Sequence, residues 1–357
     1  MRTRSSQVPV AIVGLGRAGW SLHLQPLLAH PGFKIVAVAD PVSDRRQEAA
    51  ALTGCRPFPS IDELLDKARA EIVVVATPSS SHFHDTVKVL KAHRHCILEK
   101  PMALAYGDAS RLLALAREND RRLFVHHNYL HGAEYHHLRT TLESNLLGPL
   151  FHLRAFWAHY RRRWDWQTRK KNGGGALNNF GTHVLSIVLP LLGAPVTTAH
   201  AMLQHVKDAG DAEDHVQLLL QAANGATADL VVSTAIALDA PRWMLCGKNG
   251  TLVSDGQKSR LRYYDPAKAP PLVVLDAAAP GREYQKEALP WEEKEIEIGP
   301  PPVKAFHENV YDVVVERAAQ VVTPESALEV VRVLEMARRS DPDAARATPS
   351  PDPAGPG

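Results

Sequence analysis

Val10-Ala11-Ile12-Val13-Gly14-Leu15-Gly16-Arg17-Ala18-Gly19 is the stretch on which the fold turns. A short apolar run stops at a G-x-G-x-x-G, and a helical pattern follows. In that setting each glycine has a distinct task. Gly14 makes the tight turn, Gly16 lets the backbone approach a pyrophosphate, and Gly19 lets helix and strand pack closely. Leu15, Arg17 and Ala18 complete a turn whose free N–H groups and positive helix end suit an anionic dinucleotide. Asp40 lies 21 residues beyond Gly19, at the end of a second apolar run. A carboxylate there accepts bonds from the adenosine ribose hydroxyls and repels a 2′-phosphate. The expected cofactor is therefore NAD, with NADP left open because Arg45 and Arg46 follow in the next helix.

Outward from that turn the pattern repeats. Ile35 to Ala39, Ile72 to Ala76, Cys96 to Leu98 and Leu123 to Val125 are further short apolar runs. Continuous Val/Ile/Ala runs suit strands covered on both faces of a parallel sheet. Amphipathic helical stretches separate them, such as Ser81 to Ala92 and Tyr106 to Asn119. This alternation predicts an α/β doubly wound domain over residues 1–126. Beyond it the texture changes. Longer runs appear at Leu150 to His159, Thr197 to Val206, His215 to Ala222, Ala226 to Ala237 and Trp243 to Cys246. Several alternate, as in Ala228, Leu230 and Val232 against Asp229, Val231 and Ser233. Residues 127–339 thus read as an α+β domain with a large, mostly antiparallel open sheet. Helices are expected at Glu134 to Ser144, Thr182 to Leu192, Lys304 to Gln320 and Pro324 to Arg339, the last opened by a Thr323 cap. Five prolines in the final 18 residues predict a disordered tail over 340–357.

Composition narrows the function classes. The chain has 357 residues, 45% hydrophobic and 22% charged, enough for a large core. Its 41 Lys and Arg nearly balance 39 Asp and Glu, so no bulk basic charge points to nucleic acid. No run of about 18 apolar residues predicts a membrane span, and no apolar signal segment follows Met1. Three scattered cysteines, Cys55, Cys96 and Cys246, read as reduced thiols in a cytoplasmic protein.

Further motifs occur in order after the glycine turn: Ala76-Thr77-Pro78, Glu99-Lys100-Pro101, and Gly173-Gly174-Gly175-Ala176-Leu177-Asn178-Asn179-Phe180-Gly181-Thr182-His183. With that turn, they resemble the glucose-fructose oxidoreductase / inositol dehydrogenase / rhizopine catabolism (Gfo/Idh/MocA) family over residues 8–339. The resemblance implies a Rossmann domain followed by an open-sheet domain, and oxidation or reduction of a secondary alcohol on a sugar, cyclitol or related polyol with NAD(P). It implies a homodimer or homotetramer, a catalytic His at the position of His183, and an invitation to a cis peptide before Pro101.

The residues themselves fit such chemistry. Lys100 follows a strand's carboxyl end, where α/β sheets hold ligands, and its ammonium can polarise an alcohol oxygen. His183 has an ordinary pKa suited to proton exchange. Thr77 and Pro78 belong on the cofactor surface, as does His82 at the next helix start; Glu99 is expected to neutralise Lys100 or meet the nicotinamide ribose. Asn128, Tyr129, Arg163, Trp164 and Trp166 are expected on the substrate side. Two positions depart from the family. Asn179 stands where relatives often carry a titrating Asp; it bonds a hydroxyl but cannot exchange a proton. Leu130 replaces a frequent Arg. Asn179 keeps two alternatives open: an epimerising or glycoside-cleaving enzyme with tightly bound NAD, and a binding homologue without catalysis. His126, His127, His131, His136 and His137 crowd together, but Gly132 interrupts their helix and no Cys joins them. No metal is expected.

Overall fold

In a computed structural model the described residues are 7–207, 209–272, 274–276, 281, 287–301 and 303–341. Two sheets organise them. The first has six parallel strands: β1 (Val8–Val13), β2 (Phe33–Ala39), β3 (Arg56–Phe58), β4 (Ile72–Val75), β5 (His95–Leu98) and β6 (Leu123–Val125). Their order, β3-β2-β1-β4-β5-β6, is the doubly wound order. The strand order reverses between β1 and β4, so the carboxyl ends of those strands open a crevice. The five apolar runs are strands; β1, β2 and β5 begin one or two residues earlier than read, and β4 ends one residue sooner. The edge strand β3 was not foreseen: it is short, carries Pro57, and only Phe58 is buried.

Helices cover both faces. They include α1 (Gln25–Ala29), α2 (Ser43–Thr53), α3 (Ile61–Lys67), α4 (His82–Lys91) and α5 (Tyr106–Glu118). One hydrophobic cluster joins Val10, Ile12 and Val74 to Leu24 and Leu27. On the other face Ala11, Val73 and Leu98 pack with Leu90 and Leu112.

After α6 (Ala133–Glu143) comes β7 (Leu150–Ala158), then α7 (Thr182–Leu192). The remaining strands are β8 (Val196–Gln204), β9 (His215–Ala222), β10 (Thr227–Ser233), β11 (Trp243–Gly247), β12 (Gly250–Ser254), β13 (Lys258–Tyr263) and β14 (Glu292–Glu297). They form an eight-stranded sheet ordered β14-β13-β12-β11-β7-β10-β9-β8. All its neighbours are antiparallel except β7 and β10, which run parallel. Ala228, Leu230 and Val232 face the core, as their alternation requires.

α7 is wedged into that core. Val184, Leu185, Ile187 and Val188 are fully buried. At about 1.5–3 kcal/mol for each buried aliphatic side chain, this anchors the helix that begins one residue before His183. The C-terminal helices return to the first sheet. α8 (Phe306–Val315) sends Phe306, Val310 and Tyr311 into the cluster beneath β1. α9 (Pro324–Ser340) shares Ala327 and Val331 with the first sheet, and Val330, Val333 and Leu334 with the second. Ser340, placed by sequence at the start of the tail, is the last residue of this helix; 342–357 lie outside the described residues.

Candidate active site

The glycine turn sits at the carboxyl end of β1, against β4. Gly14 has φ +90°, and a Cβ there would lie 2.6 Å from the carbonyl oxygen of Ala76. A Cβ on Gly19 would fall 1.8 Å from the carbonyl oxygen of Gly14, so only glycine lets the helix approach the turn this closely. A Cβ on Gly16 would meet nothing within 4 Å. The space is open where a pyrophosphate needs the backbone bare, so this turn fits a dinucleotide. Leu15 is buried, Ala18 half-buried and Arg17 exposed. Asp40, 4% exposed, accepts the Leu15 N–H at 2.7 Å and the Val42 N–H at 2.9 Å. Each carboxylate oxygen keeps a lone pair for a ribose hydroxyl. Arg45 lies 3.9 Å from that carboxylate, and Arg46 donates to the carbonyl oxygens of Asp40 and Pro41.

At the end of β4, Thr77 donates its hydroxyl to Asp85 at 2.8 Å, and Pro78 is exposed. His82 is buried and meets the carbonyl oxygens of Pro101 and Thr77 at 2.7 and 3.0 Å. It braces the two turns against each other. The Lys100–Pro101 peptide is cis.

Lys100 reaches across to the second domain. Its Nζ donates to Asn179 Oδ1 at 2.7 Å and to the Asn179 carbonyl at 3.1 Å. Asn179 Nδ2 in turn donates to Gln167 Oε1 at 3.0 Å. The departure at 179 therefore keeps its place beside Lys100 but brings no charge. Burial lowers the Lys100 pKa to about 8; the Glu99 carboxylate opposes this, and the Arg17 and Arg163 guanidinium groups add to it.

His183 lies on the first turn of α7, directly after the π-helical segment Leu177–Gly181. Such wide turns are rare and recur at functional sites; a second, Ala18–Leu24, follows the glycine turn. The ring of Tyr129 stands edge-on to His183 at 4.8 Å and to Trp157 at 5.0 Å. Nδ1 of His183 is buried without a partner. Burial, then the charge of Lys100, then His127 hold its pKa well below the ordinary value. His183 is thus neutral at pH 7, and Lys100 is the group poised to titrate. Ordinary pKa values would place the two groups the other way round.

Glu99 is buried among histidines. Its Oε1 accepts from His23 at 2.9 Å and from His126 at 2.7 Å, and Oε2 accepts the Lys100 N–H at 3.2 Å. His307 on α8 meets the other nitrogen of His23 at 3.1 Å. All four side chains are buried. Donor atoms of His23, Glu99 and His126 lie within 4.8 Å of one another. One assignment of neutral tautomers satisfies the whole chain of contacts, with His126 and His23 donating to Glu99 and His307 donating to His23. Burial works to raise the Glu99 pKa, but His126 and then His23 hold it well below the usual range. Sequence reasoning missed His23 and His307; they are isolated in the chain and meet only through tertiary packing.

The histidine-rich stretch separates. His131 meets the Lys304 carbonyl, His136 the Leu130 carbonyl, and His137 the Ser259 hydroxyl. His127 is 1% exposed, and neither ring nitrogen has a partner. Burial takes its pKa to about 3. Asn128 is half-buried, and Leu130 is simply core.

A cavity of about 580 Å³ opens beside Asn179, lined among others by Tyr160, Arg163, Trp164, Phe180 and Lys207. Arg163 pairs with Asp165, which caps the turn Trp166–Thr168. Trp164 is 86% exposed; Trp166 is also exposed but does not line the cavity.

Residues 8–127 match the family model described as "Oxidoreductase family, NAD-binding Rossmann fold", and 135–253 match "GFO/IDH/MocA C-terminal domain". The chain is 29% identical over 247 residues to a dTDP-3,4-didehydro-2,6-dideoxy-alpha-D-glucose 3-reductase of Streptomyces violaceoruber, covering 69% of this chain and 72% of that protein. It is 24% identical over 354 residues to the scyllo-inositol 2-dehydrogenase (NADP(+)) IolW of Bacillus subtilis, covering 95% of each. Among solved structures, an NAD-binding protein from Listeria innocua superposes with a TM-score of 0.81 at 23% identity, over 94% of this chain and 97% of that one.

Proposed function

Because this chain belongs to the Gfo/Idh/MocA family of NAD(P)-dependent oxidoreductases, we propose that it interconverts a secondary alcohol and a ketone on a sugar, cyclitol or related polyol, with Lys100 and His183 managing the proton. The sugar-related names of two relatives support the substrate class. The observation that carries the reading is the position of Lys100. Its ammonium spans the two domains, held by both oxygens of Asn179 beside the cavity.

The nicotinamide, when bound, supplies the hydride acceptor for the alcohol carbon or the donor for the ketone. The glycine turn cradles the pyrophosphate, and Asp40 favours NAD by holding a ribose diol and repelling a 2′-phosphate. In oxidation, the neutral amine of Lys100 accepts the hydroxyl proton as the carbonyl forms; in reduction, the ammonium returns it. A pKa of about 8 suits either task near neutrality. His183 is neutral; with Nδ1 buried, its other ring nitrogen, Nε2, is the one that joins the same oxygen by a hydrogen bond and orients it. Asn179 fixes the lysine and does not titrate.

A panel of sugars and polyols with NAD and NADP, read by the absorbance of the reduced nicotinamide, tests this. Turnover that is lost in Lys100→Ala, while cofactor affinity holds, is the expected result. Failure of both coenzymes to bind, or full activity in Lys100→Ala, refutes it.

A further inference from the structure

The side-chain nitrogen of Lys100 is tetrahedral, so beyond Cε it has three positions for protons or a lone pair. Asn179 takes two of them, with Oδ1 at 2.7 Å and its backbone carbonyl at 3.1 Å. The third carries a proton in the ammonium and the lone pair in the free amine, and it is the position left for a substrate oxygen. A side-chain amide has two ends, and only one of them accepts a hydrogen bond. Turned over, Asn179 would donate from Nδ2 to the free amine and occupy the lone pair that has to take the hydroxyl proton. A carboxylate has no such wrong orientation. A neutral residue at 179 therefore needs its orientation held.

Gln167 is placed to hold it. Its Oε1 accepts a bond from Asn179 Nδ2 at 3.0 Å, the only partner of that nitrogen among the described residues. If Asn179 turned alone, its Oδ1 would face Oε1, two acceptors with no proton between them. Both amides could turn together only by giving up the charge-assisted bond from the Lys100 ammonium. The backbone of Gln167 is itself pinned. Its N–H donates to Asp165 Oδ1 at 3.0 Å, and its carbonyl accepts the Gly175 N–H at 2.9 Å. The chain can pass that carbonyl only as glycine at 174, where a Cβ would fall 2.3 Å from the oxygen. We propose that Gln167 is a positioning residue, acting through Asn179 to keep the amide oxygen on Lys100 and the third position of the nitrogen open to substrate. The inference rests on the alcohol-oxidising reading and adds a residue to that same site.

Two substitutions of similar size separate positioning from packing. Gln167→Leu removes the acceptor, whereas Gln167→Glu keeps an acceptor that cannot turn into a donor. Trace acetylation of Lys100 by acetic anhydride against pH, on the full chain, gives its titration midpoint without turnover. In Gln167→Leu the free amine gains one hydrogen bond from the turned amide, so the midpoint should fall by about half to one unit. In Gln167→Glu it should rise, because a negative charge is added near the ammonium. The groups that act on Lys100 or feel its charge are Glu99, Arg17, Arg163, His82, His127 and His183, and none of them bonds the Gln167 side chain. For the alcohol that the sugar and polyol panel identifies, kcat of oxidation should fall about three- to tenfold in Gln167→Leu with KM little changed. An unmoved midpoint in Gln167→Leu, or a fall in both variants, overturns the proposal; should Gln167→Leu fail to fold, a midpoint in Gln167→Glu that does not rise overturns it alone. Lys100-dependent turnover beside an unmoved midpoint would leave the parent reading standing. Midpoints that move as expected in a chain that oxidises no alcohol would sustain the part played by Gln167 in orienting Asn179 and end the parent reading instead.

Discussion

Asn179→Asp places a carboxylate on the nitrogen of Lys100. The present oxygen is 2.7 Å away and uncharged, so the substitution adds an opposite charge without changing side-chain size. An opposite charge this close raises a lysine pKa by about 1–3 units. Lys100 starts at about 8, so it should return to roughly 9–11. The other contact of Asn179 also changes: its Nδ2 now donates to Gln167 Oε1 at 3.0 Å, and an aspartate there requires the Gln167 amide to turn over and donate instead. The sign of the kinetic effect follows. Reduction needs the ammonium, so its alkaline limb should move to higher pH by the same amount. Oxidation needs the free amine, so its acid limb should move up as well, and activity at pH 7.5 should fall. The pH dependence of kcat/KM in both directions measures this. Trace acetylation of Lys100 against pH, read by peptide mass spectrometry, measures the pKa without turnover. Both midpoints within about half a unit of wild type would refute the electrostatic account of Asn179.

Gly16→Ala should fold with an unchanged melting temperature yet lose cofactor affinity, because only the ligand space is filled; Gly19→Ala should lose the fold itself, since its Cβ meets Gly14 at 1.8 Å. Calorimetry beside thermal melts separates the two, and equal behaviour would contradict the division of roles. His183→Ala should lower kcat by about 10²-fold with little change in cofactor binding; near-normal kcat would remove His183 from the site. Asp40→Ala should narrow the ratio of KM for NADP to that for NAD, and a ratio below one in the wild type would show Asp40 misread.

The first sheet was legible because its strands are buried on both faces. Val/Ile/Ala runs ending in Gly14, Asp40, Thr77 and Lys100 carry both the strand and its functional end. Helix α7 was equally plain from its apolar length. What escaped was either short or assembled at a distance. β3 has three residues and one buried side chain. β14 is charged everywhere but Ile296, and in β13 only Leu261 and Tyr263 mark the buried face, set beside Arg260 and Arg262, so the hydrophobic period is faint. The Glu99–His23–His307 chain joins residues separated by up to 284 positions. A histidine in sequence shows neither its partner nor its charge. The same limit holds for protonation: ordinary pKa values place the imidazole near neutrality, and burial moves both groups downward until the lysine occupies that range.

The proposed lysine chemistry accounts for an asparagine at 179. Of the charged groups acting on Lys100, Glu99 alone favours the ammonium, while burial, Arg17 and Arg163 disfavour it. Glu99 keeps its charge because His23 and His126 hold one oxygen. A second carboxylate at 179 would bind the proton on Lys100 more firmly than an acid–base group near neutrality can afford. The neutral amide supplies the same hydrogen-bond acceptor and leaves the proton exchangeable. On this argument Asn179 and the histidine shell of Glu99 are two halves of one setting: the shell supplies the single negative charge Lys100 needs, and the asparagine withholds a second.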